Sequence, residues 1–377
     1  MIYLDYNATA PLNSNVMKKI NNLDLNNFGN SSSVHKMGRN SKKIIEDVRE
    51  NILSKLQAKN YELIFTSGAT ESNNLAIKSF VKNNNIKAVF TSESEHASVL
   101  DVIKSLDVEK KYFKLNNNGS ISLFEIENIL SNLKEPFLVS LMYANNETGI
   151  IHPIKKITEI VKKYNGFIHC DGVQSLGKCE LNIDDLNVDL FSFSSHKIGG
   201  PTGIGGLLVH NKAKISPEIV GGGQEKNLRS GTENFYGILG FGEVVSDIEH
   251  LNKLSYTNVK NNRDFLENNL KKLSNEIKIF GENCDRLNNT CYFAFPSMTS
   301  ENQVIALDQK GICVSSGAAC SSGKVESSHV LKAMKVEDKY INSAIRVSLG
   351  WNSTKEHIQK FFDVWKSDCF KKGRNHA

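Results

Sequence analysis

Phe193-Ser-Ser-His-Lys-Ile-Gly-Gly-Pro-Thr-Gly-Ile-Gly-Gly206 is the stretch on which the reading of this chain turns. It continues an apolar run from Val188 that reads as the end of a buried strand, and Leu207-Leu-Val209 leads back into a core. Between them stand Ser194, Ser195, His196 and Lys197, followed by five glycines in nine residues, so the backbone can turn tightly and lie close to a ligand. A lysine between two buried strands is costly unless its amine is paired, deprotonated or covalently engaged. Two readings are open on this stretch alone. In one, Lys197 forms a Schiff base with an aldehyde cofactor, pyridoxal phosphate, and Ser194 and His196 lie near its phosphate. In the other, Lys197 is a solvated loop residue.

Working outward, strand-like and helix-like segments alternate. The periodicity predicts a helix over 33–56, then strands over 61–66, 86–91, 137–143 and 167–170, with helices over 71–81, 96–106, 121–133 and 154–164. Such alternation predicts βαβ units, a mostly parallel sheet and helices on both faces. Ligands of open α/β sheets bind at the carboxyl ends of the strands. Five polar motifs fall at those ends: Thr66-Ser-Gly-Ala-Thr-Glu71, Ser94-Glu-His96, Asn145-Asn-Glu-Thr148, His169-Cys-Asp171 and Ser194-Ser-His-Lys197. Residues 220–234 read as a polar, glycine-rich loop. A charged helix over 251–271 then leads to a second unit with a strand over 290–295, a helix over 302–310 and a strand near 346–349.

Composition narrows the class. With 377 residues, 40% hydrophobic and 23% charged, the chain is in the ordinary globular range and long enough for about two domains. The net charge of +5 is small, and Lys and Arg are dispersed, so no nucleic-acid or anionic-membrane footprint is expected. No run reaches the ~18 apolar residues of a membrane span. The first eleven residues have no basic stretch followed by an apolar one, and a cytoplasmic location is expected. Seven cysteines without a C-x2-C pair predict neither a disulfide framework nor a zinc site, and no metal is expected.

Pyridoxal phosphate needs a lysine, an acid opposite the ring nitrogen, a ring platform and a phosphate cradle. Asp171, at a strand end, can hold the ring-nitrogen proton, and His96 can stack on the ring. The Ser67-Gly-Ala-Thr70 turn, with Ala69 and Thr70 opening a helix, offers amides to a phosphate. Each of these residues also has a plain role as a helix cap, a turn residue or a structural histidine.

The ordered set carries a resemblance. Ser67-Gly-Ala-Thr-Glu-Ser-Asn-Asn74, Glu95-His96, Ala144-Asn-Asn-Glu-Thr-Gly149, Asp171-Gly-Val-Gln174, Ser195-His-Lys197, Arg229-Ser-Gly-Thr-Glu-Asn234 and Ser315-Ser-Gly-Ala-Ala-Cys320 resemble the cysteine desulfurases. These are class V aminotransferases of the fold-type I pyridoxal-phosphate group, and the cysteine loop resembles the long-loop subgroup of iron–sulfur cluster biosynthesis. The resemblance runs in order from Leu4-Asp-Tyr-Asn-Ala-Thr9 to Arg346-Val-Ser-Leu-Gly350.

The resemblance implies a large cofactor-binding domain over 14–255. A smaller α+β domain over 1–13 and 256–377 would carry the catalytic cysteine loop. It implies a homodimer with active sites at the subunit interface. Lys197 resembles the Schiff-base lysine, His96 the stacking residue and Asp171 the partner of the ring nitrogen. Gln174 and Asn146 would address the ring-oxygen side, Asn146 also reaching the substrate. Ala69, Thr70, Ser194 and His196 would hold the phosphate, joined by Thr232 from the other subunit. Arg346 resembles the clamp for the substrate carboxylate, and Cys320 the nucleophile.

The small, polar setting of Cys320 agrees independently, since Cys291 and Cys313 sit in apolar runs. The implied reaction converts L-cysteine to alanine and leaves a persulfide on Cys320. Lys197, helped by His96, moves the protons. An acceptor protein or scaffold then takes the sulfur for iron–sulfur clusters or tRNA thiolation. A class V aminotransferase and a selenocysteine lyase are the alternatives. Two departures stand out: the family usually has glycine at Ser195 and proline at Ser31.

Overall fold

The computed structural model describes residues 1–23, 29–317 and 327–375, and in them the short first strand, β1 (Ile2–Tyr3), stands apart from the main sheet. That sheet contains β2 (Tyr61–Thr66), β3 (Ala88–Ser92), β4 (Glu109–Phe113), β5 (Phe137–Met142), β6 (Phe167–Asp171), β7 (Leu190–Ser194) and β8 (Gly205–His210). The strand order is β2-β8-β7-β6-β5-β3-β4. Neighbours from β4 through β7 are parallel, and β8 pairs antiparallel with both β7 and β2. Only β8 of this sheet therefore runs against the rest, and the carboxyl ends of the other six lie on one edge. β5 and β7 are buried at every position, as strands covered on both faces must be.

The sequence expectation lacks α1 (Ser14–Asn21), whereas α2 (Lys36–Lys55), α3 (Ala69–Asn83), α4 (Ala97–Ser105), α5 (Leu123–Leu130) and α6 (Ile154–Lys163) follow the predicted pattern, with shifted ends. α3 starts two residues before the expected 71. Glu71 reaches back to accept the Ser67 N–H at 2.8 Å, which closes the first turn over Gly68. β4 is missing from the sequence expectation because its Glu-Lys-Lys-Tyr-Phe pattern is that of a sheet edge, where charge guards against further pairing. α7 (Ile183–Leu186) and α8 (Phe235–Ser246) complete this part, and α8 is apolar and buried over most of its length.

The helix expected over 251–271 is built as Ile248–Leu254, a π-helical turn Ser255–Val259, and Lys260–Leu273. Beyond it β9 (Lys278–Ile279), β10 (Thr290–Ala294) and β12 (Ala344–Ser348) form an antiparallel sheet, with β10 between the other two. β1 pairs in parallel with β11 (Ile312–Cys313), which places the first residues of the chain beside its last third. Leu4 joins an apolar cluster whose other members, among them Leu266, Phe293 and Trp365, all come from residue 259 onward. Tyr292, Ala294 and Ala344 instead pack into the core under the main sheet, so the two parts share a wall.

Candidate active site

On the carboxyl edge of the sheet opens a cavity of about 570 Å³. Lys197, Ser194 and His196 reach it from the end of β7, Asp171 from β6 and Asn146 from the turn after β5. Ala69 and Thr70 reach it from the start of α3, His96 from the cap of α4, Gln174 from the turn after β6, and Arg346 from β12. Parallel strands deliver these residues together because their ends are aligned: Met142 pairs with Asp171, and Asp171 with Ser192. Thr232 of this chain is exposed and lies outside the cavity wall. Cys320 falls outside the described residues.

Lys197 sits in a 3-10 turn, Ser195–Ile198, ended by Gly199 at φ 85°. A Cβ there would meet the Trp351 ring at 2.5 Å, so glycine is required twice over. The Lys197 amine donates to the carbonyls of Asn7 and Ala8, both at 2.8 Å. Ser195 is fully buried, and a Cβ on Gly200 would lie 1.9 Å from its hydroxyl oxygen, so Gly200 makes the room that a glycine at 195 would otherwise give. Ser31, in place of the usual proline, donates to Glu233 at 2.6 Å and ties its turn to the 220–234 loop.

Asp171 is 6% exposed and accepts from Asn73 Nδ2 at 2.9 Å and from the Val173 N–H at 3.0 Å. The other hydrogen of the Asn73 amide goes to Ser98 Oγ at 2.9 Å, and that hydroxyl lies 2.8 Å from His96 Nδ1. His96 Nδ1 also accepts the Ser98 N–H as the cap of α4, so a neutral ring carries its proton on Nε2. Burial, then the positive charges of Lys197 and Lys178, push His196 down to about 4; a neutral imidazole stands beside the cavity, 3.1 Å from Thr9 Oγ1.

Arg346 is 2% exposed. Nη2 donates to Asp5 at 2.8 Å and Nη1 to the Asn146 carbonyl at 3.0 Å, while the buried Nε has no partner among the described residues. Glu71 is half-buried, which by itself would raise its carboxyl, but the Arg229 guanidinium at 2.8 Å and the Ser67 amide hold it below the usual range.

These residues fit pyridoxal phosphate. Gly68 caps α3 without a side-chain bond, leaving the first-turn amides open to an anion. A Cβ on Gly68 or on Gly203 would meet nothing within 4 Å, so both border open space in the wall. β8 approaches so closely that a Cβ on Gly205 would lie 2.7 Å from the Gly68 backbone. Asp171 would be the acid opposite the ring nitrogen and Lys197 the amine.

The sequence reading did not single out Asn7, Asn73, Ser98 or Lys178. A signal existed for Asn73, because asparagine inside a helix is disfavoured without a tertiary partner. Asn7 and Lys178 gave none, because their partners are distant in sequence.

The class-V aminotransferase family model matches residues 2–361. The chain is 38% identical over 376 residues to a cysteine desulfurase IscS of Dictyoglomus turgidum, covering 96% of this chain and 93% of that one. A cysteine desulfurase of Nostoc sp. is 36% identical over 372 residues, covering 97% and 92%. Among solved structures, a NifS-like protein from Rickettsia africae is 35% identical, with a TM-score of 0.89 over 97% of this chain and 99% of that one. SspA in complex with cysteine is 28% identical, with a TM-score of 0.79 over 93% and 99%.

Proposed function

The chain belongs to the class-V aminotransferase family and, within it, to the cysteine desulfurases, and on that premise we propose that its cavity holds pyridoxal phosphate and passes the sulfur of L-cysteine to Cys320. The observation that carries the reading is the meeting of Lys197, Asp171, Arg346 and the open α3 N-terminus around one cavity. The cofactor, when bound, supplies a ring that withdraws electrons from the substrate attached to it. Thr70, Ser194, His196 and the α3 amides hold the phosphate, and Asp171 holds a proton at the ring nitrogen. Arg346 holds the substrate carboxylate with the N–H groups that Asp5 and Asn146 leave over. Lys197 Nζ takes and returns the substrate protons, helped by His96, which lines the same cavity.

The Cys320 thiolate then forms an S–S bond to the substrate sulfur. The C–S bond breaks, its electron pair stays on carbon, and protonation there gives alanine. The other cysteines are poorly suited to this role. Burial pushes the thiols of Cys179 and Cys369 up to about 12, sets those of Cys170 and Cys291 well above the usual range, and raises Cys284 and Cys313.

The proposal includes a homodimer in which Thr232 serves the other subunit's phosphate, a large domain over 14–255 and a small one over 1–13 and 256–377, a cytoplasmic location and a protein acceptor for the sulfur. The exposure of Thr232 in this chain supports the first of these. No helix among the described residues is long and apolar enough to cross a membrane. The test is reconstitution with pyridoxal phosphate. The protein should turn yellow and release alanine from L-cysteine, and Lys197→Ala should do neither. A full-rate Lys197→Ala variant would defeat the reading.

A further inference from the structure

Lys178 lies behind the cavity wall, four residues beyond Gln174, and is 7% exposed. Its amine donates to Gln174 Oε1 and, at 2.8 Å, to Asn7 Oδ1. The Gln174 amide is thereby oriented. Its oxygen is taken, one Nε2 hydrogen goes to the Asn7 carbonyl at 3.0 Å, and a second remains on a residue that borders the cavity.

Asn7 is held as completely. Its Nδ2 donates to the Asn146 carbonyl at 3.1 Å and to Thr290 Oγ1 at 2.9 Å, its Oδ1 also accepts from Asn289 at 2.9 Å, and its N–H donates to Ser348 at 3.0 Å. The same Asn7 carbonyl receives the Lys197 amine. Lys178 is thus one bond away from two groups that meet the site. A small void of about 40 Å³, edged by Tyr6, Leu251 and Trp351, touches both lysines. The titratable groups that bear on Lys178 are Lys197, Arg346 and Cys179. Burial first, then the charges of Lys197 and Arg346, hold its amine well below the usual lysine range. Its two hydrogen bonds go to two side-chain oxygens, Gln174 Oε1 and Asn7 Oδ1.

We propose that Lys178 is a positioning residue: by holding the Gln174 oxygen it aims the free Gln174 N–H at the ring oxygen of pyridoxal phosphate, and by holding Asn7 it fixes the carbonyl on which Lys197 rests. The inference depends on the reading that this cavity takes that cofactor. A donor at the ring oxygen draws charge from it and makes the neighbouring Schiff-base nitrogen a weaker base. Without Lys178 only the Asn7 carbonyl, among the described residues, orients the amide, its other N–H is aimed less firmly, and the Schiff base keeps its proton to higher pH.

The test is a pH titration of the visible band of the reconstituted protein, compared among wild type, Gln174→Ala, Lys178→Met and the double variant. Each single substitution should raise the midpoint by about one unit, and the double by no more than the larger single shift. A wild-type midpoint in Lys178→Met, or shifts that add, would overturn the positioning role and leave the cofactor reading standing. A wild type that develops no visible band removes the cofactor reading and this inference together. Should Lys178→Met fail to fold, Lys178→Leu gives the same two outcomes while keeping an apolar stem.

Discussion

Arg346 uses one corner of its guanidinium on Asp5 and another on a carbonyl, and its buried Nε has no partner among the described residues. A planar fork suits a carboxylate, and lysine cannot reproduce it. Arg346→Lys keeps a charge for Asp5 but loses the paired geometry. It should raise the KM for L-cysteine roughly 10- to 150-fold, which corresponds to about 1.5–3 kcal/mol for charge-assisted bonds, and leave the visible band of the cofactor in place. Steady-state kinetics beside an absorbance spectrum decide it; a lost band with unchanged KM would make Arg346 a cofactor residue instead. At Cys320 the expectation is sharper. Cys320→Ser should fold, bind cofactor and bind L-cysteine, yet yield no persulfide by mass spectrometry and little alanine. Sulfur found on the Cys313 peptide of the wild type would remove Cys320 from the mechanism.

At the scale of elements, the 220–234 loop is bound to α2, β2 and α3 by ion pairs, Glu225 with Arg49, Lys226 with Glu62 and Arg229 with Glu71. Glu225, Lys226 and Asn227 stand in succession at positive φ, a run that costs on the order of 1–3 kcal/mol per residue and needs outside support. The support is a buried carboxylate. Glu225 receives both Arg49 nitrogens, at 2.8 and 2.9 Å, together with the Phe65 N–H at 2.8 Å. Arg49→Ala would leave that carboxylate buried without its cation, a loss of about 3–5 kcal/mol. Denaturant unfolding should show that loss, and a change under 1 kcal/mol would mean that the loop holds its shape by other means.

The same loop marks where legibility ended. Its glycines and polarity identified a loop, but three left-handed non-glycine residues leave no local signature. β5 and β7 were readable because burial on both faces writes a continuous apolar run. β4 was not, because an edge strand carries the charges of a surface.

At the scale of the whole molecule, His152 and His169 are buried with no counter-charge among the described residues close enough to keep them protonated. Burial pushes His152 down to about 4, and burial, opposed in part by Asp171, does the same to His169 between Ser140 and Ser192. Their folded values lie below the unfolded value of about 6.5, so the unfolded chain binds the extra protons. The stability linked to them is complete above pH 6.5 and disappears as pH falls through 6.5 toward 4, on the order of 3 kcal/mol for each. In His152→Leu the acid loss measured by denaturant unfolding between those pH values should shrink by about that amount, and an unaltered slope would show that His152 does not control it.

The ordered motifs made most of the cavity readable at this scale, from Ala69 to Arg346. Missing was whatever depends on contacts between distant residues, such as Asn7 with Gln174, Lys178, Asn289 and Ser348.

Those contacts also set an order in time. Asp5 waits for Arg346, Asn7 for Ser348, and β1 for β11. At roughly 5–20 residues per second a ribosome needs on the order of tens of seconds between making the first and the second member of each pair. Lys197 and Asp171 emerge midway, when the N-terminal segment can meet Gln174, Lys178 and Lys197 but not yet Arg346 or Ser348. The cavity therefore gains its Arg346 wall late, only in a chain already synthesised past that residue.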